Sequence, residues 1–148
     1  MNIQSSSKAS DEAAIRSLID QHVKAVYAKD AAGVLACFTP DYVAFTLEPP
    51  LVSAMTGTKQ YDAWFATWQG PISTEIRDLD IAVGGDIGVS RSLNRMSSRT
   101  SGGDDVEVWY RQTLSFRRLN GVWKIAHVHT SVPFYMDGSF IAATDLKP

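Results

Sequence analysis

The sequence predicts an α+β fold in which three N-terminal helices pack on the concave face of a strongly curved, mainly antiparallel sheet. Three observations carry this. Helical periodicity is confined to residues 11 to 69, outside the segment Tyr42 to Met55, and long strand-like runs fill the chain after Ile72. Asn120-Gly121 joins two of those runs, and this dipeptide is a strong hairpin signal because both residues tolerate the positive φ of a tight turn. At 148 residues, 45% of them hydrophobic, the chain has apolar material for one core and too little length for two. A single domain over residues 11 to 148 is expected.

Residues 1 to 10, rich in Ser, read as a disordered lead-in. Ser10 is placed to cap a first helix, with Asp11 and Glu12 suiting its positive end. Ile15, Leu18, Ile19, His22, Val23, Val26 and Tyr27 then form one continuous helical face. Asp30 caps a shorter second helix with Val34, Leu35 and Phe38 as its apolar positions, and Pro40 helps to end it. Tyr42 to Leu47 reads as a first strand. Gly57-Thr58 opens a third helix on which Tyr61, Trp64, Phe65 and Trp68 fall at i, i+3, i+4 and i+7. Such a stripe is first of all core, because aromatic side chains bury large areas.

Ile72 to Val83 is a long strand whose alternation slips between Ile76 and Leu79, the mark of a bulge. Gly84-Gly85-Asp86 turns into a second long strand, Ile87 to Arg99, and Thr100 to Asp105 forms the next loop. Arg91, Arg95 and Arg99 share one face of that strand, which reads as a solvated or inter-subunit face, with an anion site as the alternative. On the final hairpin, Trp109, Arg111, Thr113 and Ser115 oppose Tyr110, Gln112, Leu114 and Phe116. On the last strand Trp123, Ile125, His127, His129 and Ser131 alternate with Lys124, Ala126, Val128 and Thr130. A two-residue turn would put the two His with Tyr110 and Gln112, whereas a three-residue turn with a Gly bulge would put them with Trp109 and Arg111.

The run Trp123-Lys-Ile-x-His-x-His-x-Ser131, together with Lys29-Asp30 opening a helix that ends in Cys37-Phe38-Thr39-Pro40-Asp41, resembles the SnoaL-like proteins of the nuclear transport factor 2-like superfamily. The resemblance covers residues 11 to 133 and implies a cone-shaped barrel. It implies the three-residue turn, with Gln112, Leu114 and Thr130 toward a concave pocket. It also implies a homodimer through the convex face, with Trp109, Arg111, Trp123, His127 and His129 at or near the seam. Interface cores favour large aromatics and Arg, which fits that set. The superfamily includes isomerases, cyclases, dehydratases and the association domain of calcium/calmodulin-dependent kinase II, so fold alone does not assign a function.

By the same resemblance, His22 stands where ketosteroid isomerases carry a Tyr, Glu48 near their carboxylate base and Gln112 near a later acid. None of the three residue types matches. The replacements still suit acid-base work: Glu48 as a base beside Trp64, Trp68 and Phe45, with His22 or Gln112 hydrogen-bonding a developing enolate. The competing readings are a satisfied core histidine for His22 and a solvated loop residue for Glu48. The expected pocket comprises His22, Val26, Tyr27, Phe45, Glu48, Tyr61, Trp64, Trp68, Gln112 and Thr130. Its expected occupant is a small apolar organic molecule, handled without a cofactor. The alternative is a non-catalytic dimeric association module, for which a plugged cone would argue.

Other classes find no support. A net charge of −2 gives no long-range attraction to nucleic acid or anionic membranes. Cys37 is alone and lies in an apolar pattern, where an inert buried thiol is expected. His127-x-His129 invites a metal, but Thr130 to Met136 supplies no further ligand, and none is expected. With no apolar run long enough to span a bilayer and no signal-peptide core, a cytoplasmic location is expected.

Overall fold

The computed structural model describes residues 3–148, and side chains from residue 7 onward. Helix α1 (Ile3–Tyr27) is followed by α2 (Ala31–Ala36), strand β1 (Phe38–Phe45), α3 (Thr58–Phe65) and four long strands. These are β2 (Trp68–Gly84), β3 (Ile87–Thr100), β4 (Asp105–Leu119) and β5 (Val122–Ser131). The expected lead-in is therefore helical from Ile3, and Ser10 lies inside α1 rather than at its cap; Met1 and Asn2 lie outside the described residues. Short polar side chains cost a helix only tenths of a kilocalorie each, so a Ser-rich run extends a helix already started. Asp30 caps α2 as expected, its carboxylate accepting from the Gly33 N–H at 3.0 Å.

The sheet runs β1-β5-β4-β3-β2, with β1 parallel to β5 and every other pair antiparallel. It is curved but not closed: β1 and β2 remain as its two edges, so the barrel expected from the resemblance is an open cone. The register of β2 against β3 shifts between Arg77 and Asp80, where the alternation slips in the sequence. Asp78 there takes a positive φ of 54°.

The last hairpin resolves the two turn alternatives in an unexpected way. Asn120 and Gly121 both have positive φ, 50° and 79°, and Leu119 pairs directly with Val122, so the loop has two residues. The faces nevertheless exchange further along. Phe116 pairs with Ile125 but Ser115 with His127, leaving Ala126 as an extra residue on β5. Beyond that bulge His127 and His129 face with Ser115 and Thr113, while Val128 and Thr130 face with Leu114 and Gln112. The three-residue turn is thus wrong and the face assignment it served is right. Before the bulge, Trp123 and Ile125 point to the opposite side from the two His.

The core lies between α1 and the sheet, with Ile15, Ile72, Phe116 and Ile125 almost wholly removed from solvent. Gly88 marks the close approach: a Cβ there would stand 2.8 Å from the Ile15 terminal methyl. Trp123 helps to tether α1, because its indole N–H and the Arg118 guanidinium both donate to the Asp11 carboxylate, at 3.2 and 2.6 Å. Cys37 is buried and free, and burial pushes its thiol up, as suits an inert group. The face of Arg91, Arg95 and Arg99 is a row of ion pairs with Asp80, Glu75 and Asp105 rather than an anion site. Exposed pairs of this kind contribute little to stability. No helix is long and apolar enough to cross a membrane, among the described residues.

Candidate functional site

The helices do not fill the cone. A cavity of about 350 Å³ remains between the concave sheet face, α1, α3 and the segment following β1. One face of α1 contributes Ile19, His22, Val23 and Val26, the residues whose spacing of three and four puts them on one stripe. Strand alternation supplies the floor: Ile76 from β2, Asn94 and Met96 from β3, Tyr110 and Gln112 from β4, Val128 and Thr130 from β5. The volume falls in the range of small-molecule sites.

Of the residues expected in the pocket, His22, Val26, Tyr61, Trp64, Gln112 and Thr130 line the cavity. Trp68 lines it too, but α3 ends at Phe65 and Trp68 is the first residue of β2, so the expected four-residue helical stripe is one residue short. Tyr27 and Phe45 do not belong. Tyr27 follows Val26 at about 100° around the helix and is half exposed. Phe45 alternates with the buried Ala44 and pairs in register with His129, which puts it on the convex face. Its ring stands edge-on to His127 and His129, with centroids 4.7 and 5.5 Å away. Glu48 reaches the rim but is exposed, so the dry setting expected for a base is not formed around it.

His22 is the chemically distinctive group. Burial pulls its imidazole down to about 4, so the ring is neutral at pH 7. Phe38 meets it edge-on at 5.4 Å, and no side-chain or backbone hydrogen bond holds its nitrogens among the described residues. A satisfied core histidine would have such a partner. Opposite, Tyr42 donates to the Met55 carbonyl at 2.7 Å, so the 2.8 Å contact between the phenols is Tyr61 donating to Tyr42. Burial pushes both phenols up, and they stay protonated. On the floor, the Ser92 hydroxyl donates to Asn94 Oδ1 at 2.6 Å and Asn94 Nδ2 donates to Gln112 Oε1 at 3.1 Å. Asn94 and Tyr110 escaped the sequence reading; their signal was strand parity, since Asn94 alternates with the arginines of β3 and Tyr110 shares the face of Gln112.

The convex face carries Trp109, Arg111, His127 and His129 as expected, but not Trp123, which is buried beneath α1 because the bulge at Ala126 reverses the alternation. Trp109 lies under the guanidinium groups of Arg77 and Arg95, at 5.8 and 5.9 Å. His127 Nδ1 donates to the Val43 carbonyl at 2.6 Å, which sets its tautomer. Among the described residues no group of three His, Cys, Asp or Glu is placed to hold a metal ion.

The sequence model of the SnoaL-like domain matches residues 15–135. No curated protein matches the chain. Among solved structures, an NTF2-like protein of unknown function from Pseudomonas putida KT2440 is 30% identical, covers 95% of this chain and 98% of its own, and superposes with a TM-score of 0.82. A putative dehydratase of the NTF2-like family from Streptomyces avermitilis is 18% identical over 84% of this chain and 97% of its own, with a TM-score of 0.72. A putative calcium/calmodulin dependent protein kinase II association domain from Xanthomonas campestris is 18% identical over 79% and 84%, with a TM-score of 0.68.

Proposed function

The chain belongs to the SnoaL-like domain family, and from that premise we propose that its cone binds a small, uncharged, largely apolar molecule bearing a polar oxygen. One observation carries the reading: an unfilled cavity of about 350 Å³ with a neutral, unpartnered His22 on its wall. Among the described residues Glu48 is the one acidic side chain of the lining, no Lys or Arg lines it, and Glu48 sits at the rim, so a charged ligand deep in the cone would be buried without a counter-ion, at a cost of several kilocalories. The association-module alternative is less well supported, because the tail segment Phe134 to Thr144 borders an outer groove against Val106 and Val108 instead of entering the cone.

Isomerase, cyclase or dehydratase chemistry remains the class in view, and one similar structure is named a putative dehydratase. In such chemistry exposed Glu48 is poorly placed as base, and an imidazole at about 4 is too weak a base near neutrality. The groups present instead suit polarisation of a carbonyl by neutral donors. Titration of the protein with 1-indanone, followed by the fluorescence of Trp64 and Trp68 and by calorimetry, is expected to give one saturable site per chain. No saturable binding of 1-indanone or of its hydrocarbon analogue indane would refute the pocket.

We further propose that two chains pair through the convex face. Val43, Phe45, Ile87 and Val89 are each more than a third exposed there, apolar side chains of the kind that mark an interaction surface. Sedimentation equilibrium should give a dimer at micromolar concentration and Val89→Glu should give monomers; a monomeric parent chain contradicts the pairing.

A further inference from the structure

We propose that Asn94, oriented by Ser92, fixes Gln112 as a hydrogen-bond donor into the cone, so that the floor of the cavity favours a ligand with a carbonyl oxygen. The inference rests on the pocket reading above and adds the ligand's polarity to it.

Polarity follows from counting donors and acceptors along the floor. A carboxamide has one acceptor end and one donor end, and whichever end is engaged by the protein determines what the next group offers. Ser92 donates its only hydroxyl proton to Asn94 Oδ1, at 2.6 Å. The Asn94 amide nitrogen is thereby turned away from Ser92 and donates to Gln112 Oε1, at 3.1 Å. Gln112 has then used its acceptor end on the protein, and its two N–H groups are left for the cavity it lines. Asn94 is 2% exposed, so water does not compete for this chain of bonds.

Tyr110 lines the cavity next to this chain. It stands directly across the ladder from Asn94 and two positions from Gln112, on the same face of β4. Burial pushes its phenol up, so the hydroxyl keeps its proton. With its oxygen engaged by Asn94, the Gln112 amide suits a carbonyl oxygen at the floor and offers no acceptor to a ligand N–H there. Ser92 itself does not line the cavity, so its part is positional.

The test uses the full-length protein and three neutral probes with one bicyclic skeleton: 1-indanone, which only accepts; indole, which only donates; and indane, which does neither. Calorimetric titration should rank 1-indanone roughly ten-fold tighter than indane, the worth of one to two net hydrogen bonds, with indole weaker than 1-indanone. Asn94→Asp replaces the donor by an acceptor at nearly constant shape; Gln112 must then turn its amide toward Asp, present its oxygen to the cavity, and the preference should pass from 1-indanone to indole. Ser92→Ala, which leaves the cavity wall intact, should shrink the 1-indanone preference to about three-fold or less, and it decides the matter if Asn94→Asp does not fold. A preference for indole in the parent chain, or a 1-indanone preference unchanged by Ser92→Ala, overturns the polarity while leaving the pocket standing. Failure of all three probes to bind overturns the pocket and this inference with it.

Discussion

Replacing Val128 with Trp is expected to weaken 1-indanone binding at least about 30-fold, roughly 2 kcal/mol, while leaving the fold in place. Val128 lies between Ala44 and Leu114 across the ladder, lines the cavity, and is only partly buried. An indole introduced there enters space that is already empty rather than space occupied by other side chains. Overpacking a full core costs about 1–3 kcal/mol, so a folded variant with a urea midpoint near that of the parent indicates that the space was vacant. The two readouts together separate occlusion from unfolding. Undiminished 1-indanone affinity in a folded Val128→Trp protein would mean that the probe binds elsewhere.

The second large effect is on stability in acid. His22 titrates at about 4 in the folded chain and near 6.5 when exposed, so between those values the unfolded chain binds more protons. Stability due to the neutral ring is complete above pH 6.5 and is lost progressively as pH falls toward 4. At 1.36 kcal/mol per pH unit, the loss between pH 7 and pH 4.5 is about 2–3 kcal/mol from this one group. His22→Phe removes the titration without removing the ring, and its urea-unfolding free energy should fall less over that interval by about this amount. Parallel pH profiles for the two proteins would show that the imidazole is hydrated and that the cavity wall is not dry.

What could be read from the chain beforehand divides along physical lines. His22 and Val26 were legible because helical spacing depends only on the chain itself; Gln112 and Thr130 were placed by the resemblance, and strand parity kept them on their faces. Trp123 and Phe45 were misplaced because their facing is set by partners. The bulge at Ala126 shows only in how β5 pairs with β4, and nothing in Lys124-Ile125-Ala126-His127 announces it. The parallel pairing of β1 with β5 likewise joins segments some eighty residues apart. Glu48 was drawn inward by analogy with a family position, yet it follows the end of β1 and meets two prolines, where the chain leaves the sheet for solvent. Asn94 carries no charge to mark it, whereas the arginines on the other face of β3 stand out in the sequence although their ion pairs are a surface matter.

A crystal structure of the 1-indanone complex tests most directly whether the cone is a polar-floored pocket for a neutral carbonyl compound. The probe is expected inside the cavity, its ring against Trp64 and Val128 and its oxygen within about 3 Å of Gln112 Nε2. Probe density confined to the outer groove or the convex face, or a carbonyl oxygen pointing toward the rim and Glu48, would contradict it.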